Sequence, residues 1–228
     1  MATSSATLVI ATSSGIGSSI AQRLRDRGDQ VVQIDPTLDL TDAESVGQEM
    51  RSLSAGHVID RVVVAAIDPL AFRAAPITAL DESEWDQAAE YPMRAAFIVL
   101  QQVHSVIADG GRVILVLPTV VATGVAGLVP LCSAVEAIRV MAKAVARRWG
   151  ARSITVNTIE VELSAFMLGD DDTDAVEIPA VPVLGQPSLP AGSAVDDVLG
   201  LIDLLASPAA GAITGALLVA DRGTVMQP

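Results

Sequence analysis

Few side chains in this sequence can transfer a proton, act as a nucleophile or bind a transition metal. Tyr91 is the only tyrosine, Cys132 the only cysteine, and His57 and His104 the only histidines. A metal site needs several Asp, Glu, Cys or His side chains together, and neither histidine has such neighbours, so no metal site is predicted. We expect Cys132 to be a small buried hydrophobic residue, with a reactive thiol as the alternative.

A glycine-containing segment, TSSGIGSS, follows an apolar run from Thr7 to Ala11 and precedes residues with helical spacing. The order of strand, tight turn and helix is typical of dinucleotide-binding folds, but such turns also occur without any ligand. The meaning of this turn therefore depends on the elements around it.

The composition predicts one aliphatic α/β domain over residues 1–228. Hydrophobic residues make up 51% of the chain and aromatic residues only 3%, so Ala, Val, Leu and Ile must form the core. The length fits one large α/β domain. The apolar run from Arg61 to Ala66 is typical of a parallel strand that helices cover on both faces.

The net charge of −13 argues against a nucleic-acid partner, because clustered Lys and Arg side chains bind a phosphate backbone. No apolar run reaches the roughly 20 residues that span a bilayer, and the first residues do not resemble a signal peptide. A single cysteine excludes an internal disulfide and fits a reducing compartment. We therefore expect a cytoplasmic protein that binds neither nucleic acid nor membrane.

Strand and helix patterns alternate along the chain and predict a Rossmann-type, doubly wound parallel sheet. A helix is expected near Asp42, after an unusually short connection from the second strand, Gln30 to Ile34. A long helix is predicted from Asp81 to about Ile107, with a capping box and a disturbance at Pro92. Further strands are predicted in RVILVLP, SITVNTIEV and GALLVAD, and further helices in PLCSAVEAIRVMAKAVARRWG and VDDVLGLIDLLAS.

The stretch at about residues 163–194 is rich in Asp, Pro and Gly and is long for an ordinary connection. We expect it to be a lid or an interaction segment. Its DDDTD run, which begins at Asp170, is interpreted as a solvated charge cluster, with cation binding as the alternative.

Taken together, these motifs resemble the short-chain dehydrogenase/reductase family over nearly the whole chain. LVIATSSGIGSSIA is similar to the family's TGxxxGIG turn, ITVNTIEV to its IRVNxxxPG strand, and ITGALLVADRG to its TGxxxxVDGG ending. GGRVILVLP stands where the family has GGRIVNISS, and LCSAVEA where it has YSASKAA. The resemblance implies the family's fold and an NAD or NADP cofactor.

The resemblance also assigns cofactor contacts residue by residue. The pyrophosphate, at the N-terminus of the first helix, would face Ser13, Ser14, Gly15, Ile16 and Gly17. Asp35 would accept a hydrogen bond from the adenosine ribose, which favours NAD, and Asp39 with Leu40 resembles the family's adenine-contacting pair. The alternative for both acids is a solvated loop residue.

The same resemblance leaves the catalytic positions without a proton donor. The family's serine, tyrosine and lysine are replaced by Pro118, Leu131 and Val135, so no catalytic residue is assigned. Pro92 replaces the helix asparagine, and the NNAG turn has become Val64 to Ile67. The PG pair of the nicotinamide pocket has become Val161 and Glu162.

Other polar residues near these positions are weak substitutes. Thr119, Thr123 and Ser133 are expected to pack or to form hydrogen bonds with the backbone, because an unassisted hydroxyl is a poor acid. Tyr91 is the remaining candidate for an acid or base.

Three functions fit these observations. The first is a non-catalytic subunit of a heteromeric NAD-dependent dehydrogenase, because some members of this family pair an inactive with an active subunit. The partner would be an active paralogue or a second copy, bound through the two long helices with apolar contacts from Ala134, Ala137, Ile138, Met141 and Val145.

The second function is a divergent NAD(P)-dependent oxidoreductase that is active by itself. The third is a ligand-binding or regulatory module that uses the old cofactor cleft. In that case the emptied apolar site would hold a nonpolar group between Val64, Ala65, Leu131 and Val135.

Overall fold

The computed structural model describes residues 4–12, 15–121, 123–166 and 187–226. Its strands are β1 Ser4–Ala11, β2 Val31–Gln33, β3 His57–Ala65, β4 Ile107–Pro118, β5 Thr155–Val161 and β6 Leu217–Ala220. Its α-helices are α1 Ile16–Asp26, α2 Ala43–Ser54, α3 Glu82–Trp85, α4 Tyr91–Val106, α5 Val129–Trp149 and α6 Ala194–Ala206. The strands form one parallel sheet in the order β2-β1-β3-β4-β5-β6, which confirms the predicted α/β fold.

Helices cover both faces of this sheet. Helices α1 and α6 pack together on one face, while α2, α4 and α5 pack side by side on the other. The central strands are buried on both faces, as their continuous apolar runs predict. Most of the core is aliphatic, but the two largest fully buried side chains are Phe72 and Phe166.

The strand order reverses between β1 and β3, and open α/β sheets bind ligands at such a switch point, beyond the carboxyl ends of the strands. A sheet of order 3-2-1-4-5-6 has two strands beyond its first strand, whereas this sheet has only β2 there. The short connection noted in the sequence accounts for the difference, because the chain passes from β2 to α2 without another strand.

Pro92 disturbs its helix as predicted. The Asp81–Glu84 capping box is present before α3, and a π-helical turn, Asp86–Glu90, joins α3 to α4. In this turn the Tyr91 N–H donates to the Asp86 carbonyl, five residues earlier. Proline has no N–H to donate, and the wider turn accommodates that missing bond.

The boundary between α4 and β4 differs from the prediction. Ile107 does not end α4 but begins β4, which starts before its predicted glycine pair. On α5, which is apolar nearly all round, Val140 is 54% exposed in the single chain. One side of α5 therefore faces the surface, with α4 beside it.

Candidate functional site

The predicted site lies at the carboxyl ends of β1, β3, β4 and β5, where the loops after these strands meet. The loop after β3 contains a 3-10 turn, Pro69–Phe72, and the segment after β5 forms another, Leu163–Phe166. Neither turn is long enough to give a periodic signal in the sequence.

Gly15 and Gly17 are held by close packing within the chain. A Cβ atom built on Gly17 would lie 2.4 Å from the Cβ of Ala11 and 3.2 Å from the Cβ of Ala65. Gly15 has φ +85°, and a Cβ atom there would lie 2.6 Å from the carbonyl oxygen of Phe166. Gly15, Ile16 and Gly17 are all buried. The predicted contacts Ser13 and Ser14 lie outside the described residues.

Phe166 also joins two of the loops around the site. Its ring lies 5.9 Å, centroid to centroid, from the ring of Phe72, and the planes are tilted by 40°. The side chains are 2% and 1% exposed, respectively. We call this pair the aromatic clasp, because it connects the loop after β3 with the segment after β5.

The three catalytic positions are part of the hydrophobic core. Leu131 and Val135 are 0% exposed, and Pro118, at the end of β4, pairs with Val161. Val64 and Ala65 are also buried. All four residues expected to line an apolar pocket, Val64, Ala65, Leu131 and Val135, are therefore buried.

A small cavity next to this packed region has a volume of about 20 Å³ and is lined by Val64, Ile67, Pro92, Leu117 and Ile138, among others. About one water molecule fits into such a volume. This cavity is too small for the nonpolar ligand that the third hypothesis requires.

Three polar side chains near the catalytic positions are bonded to the backbone or buried. Ser133 donates to the Val129 carbonyl over 2.9 Å, as predicted for a backbone-bonded hydroxyl. The thiol of Cys132 donates to the Val120 carbonyl over 3.6 Å, and burial raises its pKa, which disfavours the reactive thiolate. Thr119 is buried, and its hydroxyl has no hydrogen-bond partner among the described residues.

Tyr91, the remaining candidate for an acid or base, is partly buried near Asp39. Burial and then the negative charge of Asp39 raise the pKa of its phenol. Its side chain lines an open groove of about 930 Å³ with Thr41, Asp81, Glu90 and other polar residues. A phenol with a raised pKa is a poor base near neutral pH.

The two acids predicted to bind the adenosine are exposed loop residues with local hydrogen bonds. Oδ1 of Asp35 accepts bonds of 2.8 and 2.7 Å from the N–H and hydroxyl of Thr37, and these bonds lower the pKa of Asp35. Oδ1 of Asp39 accepts the equivalent bonds, 2.9 and 2.7 Å, from Thr41. Each carboxylate thus stabilises its own turn, and the assignment to a nucleotide stays a prediction.

No cluster of three metal-ligating side chains occurs in the described part of the chain. His104 instead lies against Trp149, with ring centroids 5.1 Å apart. The DDDTD run and most of the 163–194 stretch lie outside the described residues. None of the described helices is long and apolar enough to cross a membrane.

An apolar groove lies between α4 and α5, on the outer surface. Its volume is about 340 Å³, and its lining includes Phe97, Met141, Val145 and Trp149. Phe97 is 56% exposed. Two of the predicted contact residues, Ala134 and Ile138, are instead buried in the core, because they lie on the side of α5 that faces the sheet.

Comparison with known proteins identifies the family. A family model described as enoyl-(acyl carrier protein) reductase matches residues 37–225. The chain belongs to the short-chain dehydrogenase/reductase family. D-threitol dehydrogenase of Mycolicibacterium smegmatis is 26% identical, over 95% of this chain and 91% of that protein.

Solved structures of other short-chain dehydrogenases/reductases have the same fold. A dehydrogenase/reductase of Sinorhizobium meliloti has a TM-score of 0.78 and 24% identity, over 99% of this chain and 96% of the other. A Burkholderia cenocepacia short-chain dehydrogenase in complex with NADP has a TM-score of 0.77 and 22% identity, over 97% and 98%.

The Phe166 carbonyl packs directly against the glycine turn. A Cβ atom on Gly15 would lie 2.6 Å from its oxygen, so the turn has no room for a side chain at this position. The backbone N–H groups of a helix N-terminus bind phosphate only when the ligand can reach them, and Gly15 to Gly17 are buried by protein atoms.

Phe72 and Phe166 were missed in the sequence, although they shape the site. The chain has only three phenylalanines, and a scarce large aromatic residue in the segment that follows a predicted strand is a usable signal. Their contact could not be foreseen, because it joins loops that are far apart in the chain.

Proposed function

We propose that this chain is a non-catalytic short-chain dehydrogenase/reductase subunit that assembles with an active subunit of the same family. The observation that carries the proposal is the complete burial of Leu131 and Val135 in the hydrophobic core. At these two positions the family resemblance requires a proton donor and the cation that assists it. Family members use NAD or NADP for hydride transfer, and in the proposed complex the active subunit carries out that step.

The polar groups nearby do not replace the missing ones. Catalysis needs a group that ionises near the working pH and reaches the substrate. The pKa values of Tyr91 and Cys132 are both raised, and the Ser133 hydroxyl is bonded to the backbone. The chemistry is therefore assigned to the partner.

The groove between α4 and α5 is the proposed contact surface. Phe97 and Val140 are 56% and 54% exposed, which is unusual for large apolar side chains on two neighbouring helices. Both helices precede strands of one parallel sheet, so they run in the same direction. Across an approximate two-fold axis they would pack antiparallel to the same helices of a partner.

The charges along these helices support such an antiparallel contact. Exposed acids cluster before and at the start of α4: Asp81, Glu82, Asp86 and Glu90. Exposed bases cluster near the end of α5: Lys143, Arg147 and Arg148. In an antiparallel arrangement with a similar subunit, the acidic end of one pair faces the basic end of the other.

Affinity purification of the tagged chain from the organism that encodes it tests the proposal. We expect an intact short-chain dehydrogenase/reductase to co-purify, and Val140→Asp to weaken the complex by about 10-fold or more. Leu204→Asp is the matched control, because Leu204 is 46% exposed on α6, on the opposite face of the sheet. A stable assembly of this chain alone that ignores every active paralogue would refute the proposal.

The second candidate is an oxidoreductase that is active by itself. The match to D-threitol dehydrogenase favours it, because that match covers 95% of this chain. It predicts NAD- or NADP-dependent oxidation of a sugar alcohol by the purified chain. Absence of turnover by the isolated chain, together with turnover by the complex, separates it from the subunit proposal.

A further inference from the structure

We infer that the aromatic clasp and the Leu163–Phe166 turn occupy this chain's own dinucleotide cleft, so that the isolated protein is closed to NAD and NADP. This inference goes beyond the proposed function, because a non-catalytic subunit can either keep or lose its cofactor. It rests on three contacts around the carboxyl ends of the strands.

The first contact is at the N-terminus of α1. The carbonyl oxygen of Phe166 lies where a side chain on Gly15 would begin, 2.6 Å from the Cβ position. This oxygen carries a partial negative charge, and it lies near the end of the helix that favours negative charge. The chain itself thus packs a backbone carbonyl against the N-terminus of α1, the end of the helix at which the family resemblance puts the pyrophosphate.

The second contact is the clasp. Phe72 and Phe166 are almost fully buried against each other and the surrounding core. Large aromatic side chains bury more apolar area than any others, so opening the clasp exposes a substantial apolar surface. A dinucleotide would have to displace this packing before it reached the glycine turn.

The third contact joins the loop after β3 to the segment before α5. The N–H of Ala75, in the loop after β3, donates to the Gly127 carbonyl over 3.0 Å. A Cβ atom on Gly127 would lie 3.1 Å from the Cβ of Ala74. The loop after β3 is therefore attached both to the segment after β5 and to the segment that precedes α5.

Packing also explains why the sequence keeps Gly15 and Gly17 in a chain that binds no cofactor. A side chain at position 17 would collide with Ala11 and Ala65. A side chain at position 15 would collide with Phe166, and the positive φ there also favours glycine. Both requirements come from protein atoms alone. The preserved glycines are consequently compatible with a closed cleft.

Nucleotide titration of the isolated wild-type chain is the first test. At about 1 mM NADH or NADPH, we expect no heat of binding, no shift in Tm and no change in amide hydrogen exchange over Gly15 to Ile20. A ligand at 100 times its Kd stabilises a protein measurably, so an affinity of about 10 µM would be detected. Saturable binding of either nucleotide with protection of these amides would overturn the inference.

The second test opens the clasp. Phe166→Ala is expected to accelerate hydrogen exchange over Gly15 to Ile20 by at least about 10-fold, because it removes the side chain that anchors the turn. Phe97→Ala is the matched control, since Phe97 is the third phenylalanine and lies outside the clasp. If Phe166→Ala does not fold, Phe166→Leu is measured instead, with a smaller acceleration expected.

Unchanged exchange at the turn in a folded Phe166 variant would show that the clasp does not close it. All these measurements use the isolated chain, whereas the subunit proposal is tested by complex formation through α4 and α5. The inference of a closed cleft can therefore fail without the subunit proposal, and the subunit proposal without the inference.

Discussion

The cleft at the carboxyl ends of the strands and the groove between α4 and α5 differ in the solvent exposure of their apolar side chains, and the difference is the reverse of what the fold leads us to expect. The cleft, where ligands enter folds of this type, is apolar and buried at Leu131 and Val135. The outer groove has the apolar side chain of Phe97 in contact with solvent, and Val140, on α5, is exposed as well. This contrast supports the proposals above, in which the chain interacts through its helical surface rather than at the carboxyl ends of its strands.

The largest expected effect comes from restoring the family lysine inside the closed cleft. Val135→Lys places an ammonium group at a position that is 0% exposed, and burying an unpaired charge is strongly unfavourable. We expect a loss of about 3–5 kcal/mol in the free energy of unfolding, measured with urea.

Val140→Lys is the control for this prediction, because Val140 lies on the same helix but is 54% exposed. Its expected change is within about 0.5 kcal/mol. Equal stability of the two lysine variants would show that position 135 reaches solvent, and the contrast between cleft and groove would then be lost.

A smaller effect is expected where α1 meets the sheet. Gly17→Ala introduces a Cβ atom 2.4 Å from the Cβ of Ala11, so the helix must shift. Overpacking of this kind costs about 1–3 kcal/mol. Thermal and urea unfolding measure the loss.

Gly200→Ala is the matched control, because Gly200 is also helical and a Cβ atom there has no neighbour within 4 Å. Alanine is the better helix former, so this control should stabilise the protein by up to about 1 kcal/mol. Equal changes in both variants would mean that Gly17 is not a packing residue.

The sequence predicted the regular elements because their signals are local. The Asp81–Glu84 capping box and the disturbance at Pro92 depend on residues within one or two turns, and both are present. The burial of Ala134 and Ile138 was not predicted, because α5 is apolar nearly all round and its periodicity does not select one face.

The closed cleft was predictable only in part. The alignment of Leu131 and Val135 with the catalytic pair predicted the loss of proton transfer, but it left open whether a pocket remained. The clasp depends on two 3-10 turns without periodic signal and on a contact between distant loops. Such contacts depend on tertiary packing, which local propensity does not encode.

Glu160 is a charged residue buried in a mostly apolar interior, and its substitution gives the smallest predicted effect on stability. It lies on β5, next to Val161, and is 0% exposed. Its carboxylate is 3.4 Å from Nε of Arg139, but neither of its oxygens accepts a hydrogen bond among the described residues. Burial, partly offset by Arg139, raises the pKa of Glu160.

A raised pKa makes the ionised form of Glu160 unfavourable in the folded chain. Its contribution to stability is therefore fully present below the unfolded pKa of about 4.3 and is lost as the pH rises through the folded pKa. Glu160→Gln cannot ionise, so its stability relative to wild type should increase with pH over this window.

Urea unfolding at a series of pH values measures this difference, and exposed carboxylates common to both proteins cancel in it. Glu136→Gln is the control, because Glu136 also pairs with Arg139 but is 48% exposed. We expect only a small change in the free energy of unfolding for that variant, since an exposed ion pair contributes little to stability. A Glu160→Gln difference that stays flat, or falls with pH, would mean that Arg139 fully compensates the buried carboxylate, and that the interior beside the old catalytic positions accepts charge after all.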